Sequence, residues 1–149
     1  MIHERILVGC GGWHYFKVLD LDPLQIYSKA FRFVEVNSTF YTLPHIEKVS
    51  SWRRRVPADF EFTVKANKLI THLEKLKPSF KTLETLEKML EICRILDSKV
   101  LVFETPKSLS LESIVQNIKH ILRMLDLGKV RLALEPRCGW SSSTNLSLE

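Results

Sequence analysis

Apolar positions along this chain follow two rhythms that take turns. Short stretches at Ile6–Cys10, Phe33–Tyr41, Glu61–Ala66, Lys99–Thr105 and Arg131–Glu135 carry the apolar runs or the strict alternation of strands. Between them apolar residues fall three and four apart, as on a helix with one buried face. Asp22-Pro23-Leu24-Gln25 opens the first helix, with Asp22 as N-cap, Pro23 at the first helical position and Gln25 closing a capping box. Leu43-Pro44 and Pro57 bracket a second, with Ile46, Val49 and Arg53 on one face. Leu83, Leu86, Met89, Leu90, Cys93 and Leu96 stripe a third. Ser110 caps a fourth, whose Leu111, Ile114, Val115, Ile118, Ile121, Leu122 and Leu125 keep helical spacing as far as Asp126-Leu127-Gly128. The connection from Asn67 to Ser79 reads as a long loop.

Strands alternating with helices predict an α/β fold with a parallel sheet, and right-handed crossovers predict the order 1-2-3-4-5 with the helices on the outer face. A closed β/α barrel needs eight such units and about 250 residues, at least about 200. The 149 residues here are therefore expected to form one domain, residues 1–149, built as a partial TIM-type barrel that lacks its last three units. Residues 141–149 show neither rhythm and read as an irregular tail. Strands 1 and 5 would both be open edges, so self-association is expected.

Composition changes this picture little. A hydrophobic content of 45% suits an ordinary core, and no apolar run approaches the roughly 20 residues of a membrane span. No signal segment follows the first residues, and a cytoplasmic location is expected. Cys10, Cys93 and Cys138 form no Cys-x-x-Cys pair and read as reduced thiols, Cys10 and Cys138 as packing groups. The net charge of +5 sits mostly in Arg53-Arg54-Arg55 and in Lys65, Lys68, Lys75, Lys77 and Lys81, set against Glu74 alone. Those runs suit either a phosphate or nucleic-acid surface or a solvated helix end and loop.

The chemistry gathers where the strands end. In β/α barrels the C-terminal strand ends carry the site. On this chain they carry Trp13 and His14, then Glu35, Asn37 and Tyr41, then Lys65 and Asn67, then Glu104, and last Glu135 and Arg137. Alternation sets Glu35 and Asn37 against Val34 and Val36, Lys65 against Val64, and Glu135 and Arg137 against Leu134. Three readings stay open. In one, Glu35 and Glu135 are neutralised by Lys65 and Arg137 in a structural network. In the second, Lys65 and Arg137 hold a small anionic or phosphate-bearing ligand and Glu35 or Glu135 moves a proton. Glu35, Lys65 and Glu135 are then the catalytic candidates. Trp13, Asn37, Tyr41, His72, Arg137 and Trp140 line the ligand, with Tyr15 on the same aromatic rim. The aromatic residues equally suit a lid on the core. In the third, Glu35, Glu104, Glu135 and His72 hold a metal for a hydrolase or isomerase, against the absence of paired-histidine spacing and the repulsion of Lys65 and Arg137. Gly9-Cys10-Gly11-Gly12 lacks the third glycine of the dinucleotide fingerprint, and the sequence assigns no cofactor.

Four blocks, in order, carry a family resemblance: Gly9-Cys10-Gly11-Gly12-Trp13-His14-Tyr15; Glu35-Val36-Asn37-Ser38-Thr39-Phe40-Tyr41; Phe62-Thr63-Val64-Lys65-Ala66-Asn67 with Ile70-Thr71-His72; and Leu134-Glu135-Pro136-Arg137 with Trp140. From about Ile6 to Trp140 the chain resembles the DUF72 (YecE-like) family. The resemblance implies a TIM-type barrel without an established activity. A loose architectural likeness of that family to DNA-repair barrels adds a nucleic-acid-binding or DNA-processing module as an alternative, by analogy alone.

Overall fold

The computed structural model describes residues 6–137. Trp140, Cys138 and the expected tail at 141–149 lie outside the described residues. Strands β1 (Gly9–Gly11), β2 (Phe33–Val36), β3 (Glu61–Lys65), β4 (Val100–Thr105) and β5 (Arg131–Pro136) form a parallel sheet in the order β1-β2-β3-β4-β5. Between them run helices α1 (Pro23–Ala30), α2 (Ser38–Tyr41), α3 (Ile46–Arg54), α4 (Phe80–Leu96) and α5 (Leu111–Met124). A strand order that never reverses, joined by right-handed crossovers, puts the helices on one face. β1 and β5 are not neighbours, so the sheet is open, consistent with a partial barrel.

Val34, Val36, Phe62, Val64, Leu101 and Phe103 are buried on the helix-covered face. Against them pack Leu24 and Tyr27 of α1, Val49 and Trp52 of α3, and the buried stripes of α4 and α5. The Tyr27 hydroxyl donates to the Phe33 carbonyl at 2.8 Å and accepts from the Cys10 amide at 2.7 Å, tying α1 to both edges of the β1–β2 pair. Asp22 caps α1 through the Gln25 amide, and Ser110 caps α5 through the Ser113 amide, as the pattern predicts. Burial pushes the Cys93 thiol up to about 12, which leaves it an inert core group.

Several expectations change. β1 is shorter than Ile6–Cys10 and Ile6 and Val8 are exposed, because an edge strand has a neighbour on one side only. Cys10 is exposed and does not serve as a packing thiol. β2 does not run on to Tyr41: Asn37 already has helical angles (φ −84°, ψ −21°) and Ser38–Tyr41 makes one helical turn. The cause is local side-chain bonding that competes with the strand ladder. The buried Thr39 hydroxyl sits 2.7 Å from the carbonyls of both Val36 and Lys65, and Asn67 Nδ2 donates to the Thr39 carbonyl at 2.8 Å. These bonds lock the β2 exit to the β3 exit. The segment after Asn67 is no plain loop either, since Leu69–Leu73 forms a π-helical turn with Ile70 and Thr71 fully buried.

The arginine run is not a solvated helix end. Arg53 donates to the carbonyls of Phe60 (2.8 Å) and Pro57, and its guanidinium lies 5.3 Å from the Phe62 ring centre. Arg55 pairs with Asp22 and donates to Ser51 Oγ at 2.8 Å. Two of the three charges thus close the base of the sheet, and Arg54 alone of the triplet is exposed.

Candidate functional site at the strand ends

The face of the sheet opposite the helices carries the charge. Register aligns Glu35 with Thr63, Lys65 with Val102, and Glu104 with Glu135, so the charged side chains climb across the strands. Lys65 and Glu104 form an ion pair with side chains only 13% and 12% exposed. Lys65 Nζ also lies 3.8 Å from Glu135, and Arg137 bridges Glu104 at 3.1 Å and Glu135 at 3.6 Å. Glu104 is therefore the hub. Its place on the face follows from alternation with Leu101 and Phe103, but nothing in the one-dimensional pattern says that it, and not Glu35, takes the lysine.

The electrostatics follow from this crowding. Burial pushes the Glu35 carboxyl above its ordinary value, Lys65 opposes that, and the charges of Glu135 and Glu104 add to it. Burial also works against the charged Lys65, yet its hydrogen bond to Glu104 and the charges of Glu104, Glu135 and Glu35 outweigh it and raise the ammonium. For Glu104 burial is again the largest single influence and raises it, but Lys65, then Arg137 and His72, together hold it below the usual carboxylate range. The Glu35 carbonyl accepts from the Gly12 amide at 2.9 Å, but its carboxyl makes no hydrogen bond or ion pair among the described residues. It stands beside a satisfied network as its one carboxyl free to take up a ligand group or a proton.

Asn37 lies over the same mouth. Its Nδ2 occupies the space a Cβ on Gly11 would need, and Gly11 is in register with Glu35, so any larger residue there would push the Asn37 side chain aside. Asn37 Oδ1 is buried and unpartnered. Phe40 packs edge-on to the His72 ring at 5.2 Å, and Lys65 Nζ lies 5.7 Å from the Phe40 ring centre, bringing the π-helical turn against the cluster. His72 Nδ1 is 2.8 Å from the Thr71 hydroxyl. Phe40 is the aromatic residue the sequence reading missed, and its signal was only its place between Thr39 and Tyr41.

Trp13 is not on the rim. Gly12, at φ +92°, turns the chain, and Trp13 is 5% exposed, edge-on to Trp52 at 5.2 Å. It is a core residue because the helix side offers an apolar partner and the strand mouth does not. Tyr15 and Tyr41 are exposed, with Lys68 Nζ 5.9 Å from the Tyr41 ring centre. Trp140 lies outside the described residues. Asn67 spends its amide on Thr39 and Leu69. Among the described residues no three His, Cys, Asp or Glu side chains gather as a metal-holding group, and Glu104 and Glu135 are already engaged by Lys65 and Arg137. A cleft of about 490 Å³ beside α4 is lined by Glu84, Glu87, Lys88 and Arg94 and includes none of these residues.

The family described as "Protein of unknown function DUF72" matches residues 7–144. The chain belongs to the DUF72 family. It is 35% identical over 74 residues to the UPF0759 protein YecE of Escherichia coli, a stretch covering 48% of this chain and 27% of that protein. Two solved DUF72 family proteins share the fold. One from Thermotoga maritima has a TM-score of 0.66 at 27% identity and covers 90% of this chain and 56% of its own. One from Enterococcus faecalis has a TM-score of 0.66 at 20% identity and covers 91% and 53%. The chain thus spans about half the length of these DUF72 structures. Among the described residues no helix is long and apolar enough to cross a membrane.

Proposed function

We propose that this DUF72 chain binds a small anionic or phosphate-bearing molecule at the C-terminal strand ends, with Arg137 and Lys65 supplying the positive charge and Glu35 the proton-transferring group. The carrying observation is the division of the charged row into a shielded pair and an open one. Lys65 and Glu104 are almost closed off, whereas Arg137 and Glu135 are 51% and 49% exposed. An exposed pair is worth only about 0–1 kcal/mol, so a ligand anion displaces Glu135 from Arg137 at little cost. The shielded pair stays in place and holds the field. Glu135 is then released beside the ligand, and Glu35, biased toward its neutral form, is placed to donate a proton. Tyr41 and His72 border the same mouth. The reaction class stays open.

Inorganic phosphate and short-chain phosphates, followed by calorimetry and thermal unfolding, test this reading. Binding at 100 times Kd raises stability by about 2.7 kcal/mol. The gain should shrink in Arg137→Ala, and disappear in Lys65→Met under conditions where that variant is folded. An unchanged gain in both variants overturns it. A nucleic-acid surface is left with the exposed Lys68, Lys75, Lys77 and Lys81, since Arg53 and Arg55 are tied inward. Affinity for DNA that falls steeply with salt would favour that surface over a pocketed ligand.

The open edges carry a second proposal, self-association. Among the described residues β1 and β5 each have one neighbour, and the β5 run from Arg131 to Glu135 has no proline or lysine to discourage pairing. Light scattering should show mass rising with protein concentration. A concentration-independent monomer with one sharp unfolding transition contradicts it.

A further inference from the structure

We infer that the ligand carries hydroxyl groups next to its anionic group, as in a short polyol phosphate, and that Glu35, Thr63 and Asn37 form the subsite that reads them. This rests on the anion-binding reading above and names the class of molecule that site takes. Thr63 is in register with Glu35, so both side chains rise from the open face of neighbouring strands. The Thr63 hydroxyl oxygen is buried and has no hydrogen-bond partner, and Asn37 Oδ1 is in the same state. With Glu35, three polar groups on one patch lack partners. A buried polar atom left unmet costs about 1–3 kcal/mol, so such a concentration on one surface calls for a complement.

The chemistry of the three groups selects that complement. Asn37 Oδ1 only accepts, the Thr63 hydroxyl donates and accepts, and the Glu35 carboxyl accepts, and donates as well when it is protonated. An ammonium group satisfies Asn37 Oδ1 but cannot accept from the Thr63 hydroxyl. An alkyl chain satisfies none of them. A hydroxyl meets all three, and it also meets the amide of Asn37 if its NH₂ end is turned to the ligand. The other buried side-chain atom without a partner among the described residues, the Thr105 hydroxyl, lies on the helix-covered face with no exposure and plays no part.

Geometry sets the length. Thr63 precedes Lys65 by two residues on the same strand, which puts it about 6–7 Å deeper along the sheet at about 3.3 Å per residue. That is about the span between the phosphate and the far hydroxyl of a three- or four-carbon chain. Glu35 and Thr63 read hydroxyls in the deeper row, and Asn37, level with Lys65, reads one beside the anion.

Erythritol 4-phosphate and n-butyl phosphate, titrated calorimetrically into the full chain, separate the two layers. The polyol ester should bind at least about tenfold more tightly, because a site built to pair hydroxyls rejects an analogue lacking them. Thr63→Val should erase that preference, and it should unfold no earlier than the parent, since it removes an unpaired hydroxyl. Asn37→Ala should reduce the preference in the same direction. Equal binding of the two esters by the parent chain overturns this inference and leaves the anion site standing, as does a preference that survives both variants. Failure of both esters to bind overturns the anion reading and the hydroxyl subsite with it.

Discussion

On the helix-covered face of the sheet Val34, Val36, Phe62, Val64, Leu101 and Phe103 are shut away from water, while on the other face Glu35, Lys65, Glu104 and Glu135 line a mouth left partly open. The same strands supply both sets, one residue apart. The apolar face is held by burial, which has no direction and needs only the right residues on the right side. The charged face depends on which group meets which, and there a single missing partner leaves another charge stranded. The helix side is therefore built for stability, and the open side for specific pairing.

The largest effect should come from the apolar side. Phe103→Ala empties a fully buried position and is expected to cost about 3–5 kcal/mol in denaturant titration. Lys65→Met comes next, at about 3 kcal/mol, because it leaves the shielded Glu104 only the half-exposed Arg137 as a partner. Adding Glu104→Gln to Lys65→Met should return part of that loss. If Lys65→Met costs nothing, the open face is not a coupled network. Thr105→Val acts on the helix side in the opposite direction: it replaces a fully buried hydroxyl without a partner and should raise stability by about 1 kcal/mol.

Protonation separates the two kinds of carboxyl on the open face. Glu104 is held low, so its contribution is present above the ordinary carboxyl value of about 4.3 and is lost as pH falls through its depressed folded value. Glu104→Gln should flatten that acid limb. Glu35 is pushed up by burial, so the folded state holds its proton more tightly than the unfolded chain does. Glu35→Gln should therefore stabilise the protein near neutral pH, and the gain should vanish on acidification, where the parent carboxyl is protonated in both states. A gain that persists at low pH would mean that Glu35 is not held in the neutral-favouring environment described. The smallest effect is expected at the rim, where Arg137→Ala should change stability by no more than about 1 kcal/mol.

Much of this molecule was legible in one dimension. The strand alternation, the caps at Asp22 and Ser110 and the helical stripes state local preferences that burial then rewards, so the parallel order and the two faces follow from pattern alone. Four blocks of residues were enough to place the chain in DUF72. Tertiary structure decided what pattern cannot express: that Lys65 pairs with Glu104, that Trp13 turns into the core against Trp52, that Arg53 and Arg55 face carbonyls and Asp22, and that Thr39 and Asn67 end β2 early. Alternation assigns a side chain to a face, but a hydrogen bond or an ion pair depends on distance and direction between residues far apart in sequence, and those exist only once the strands are laid side by side.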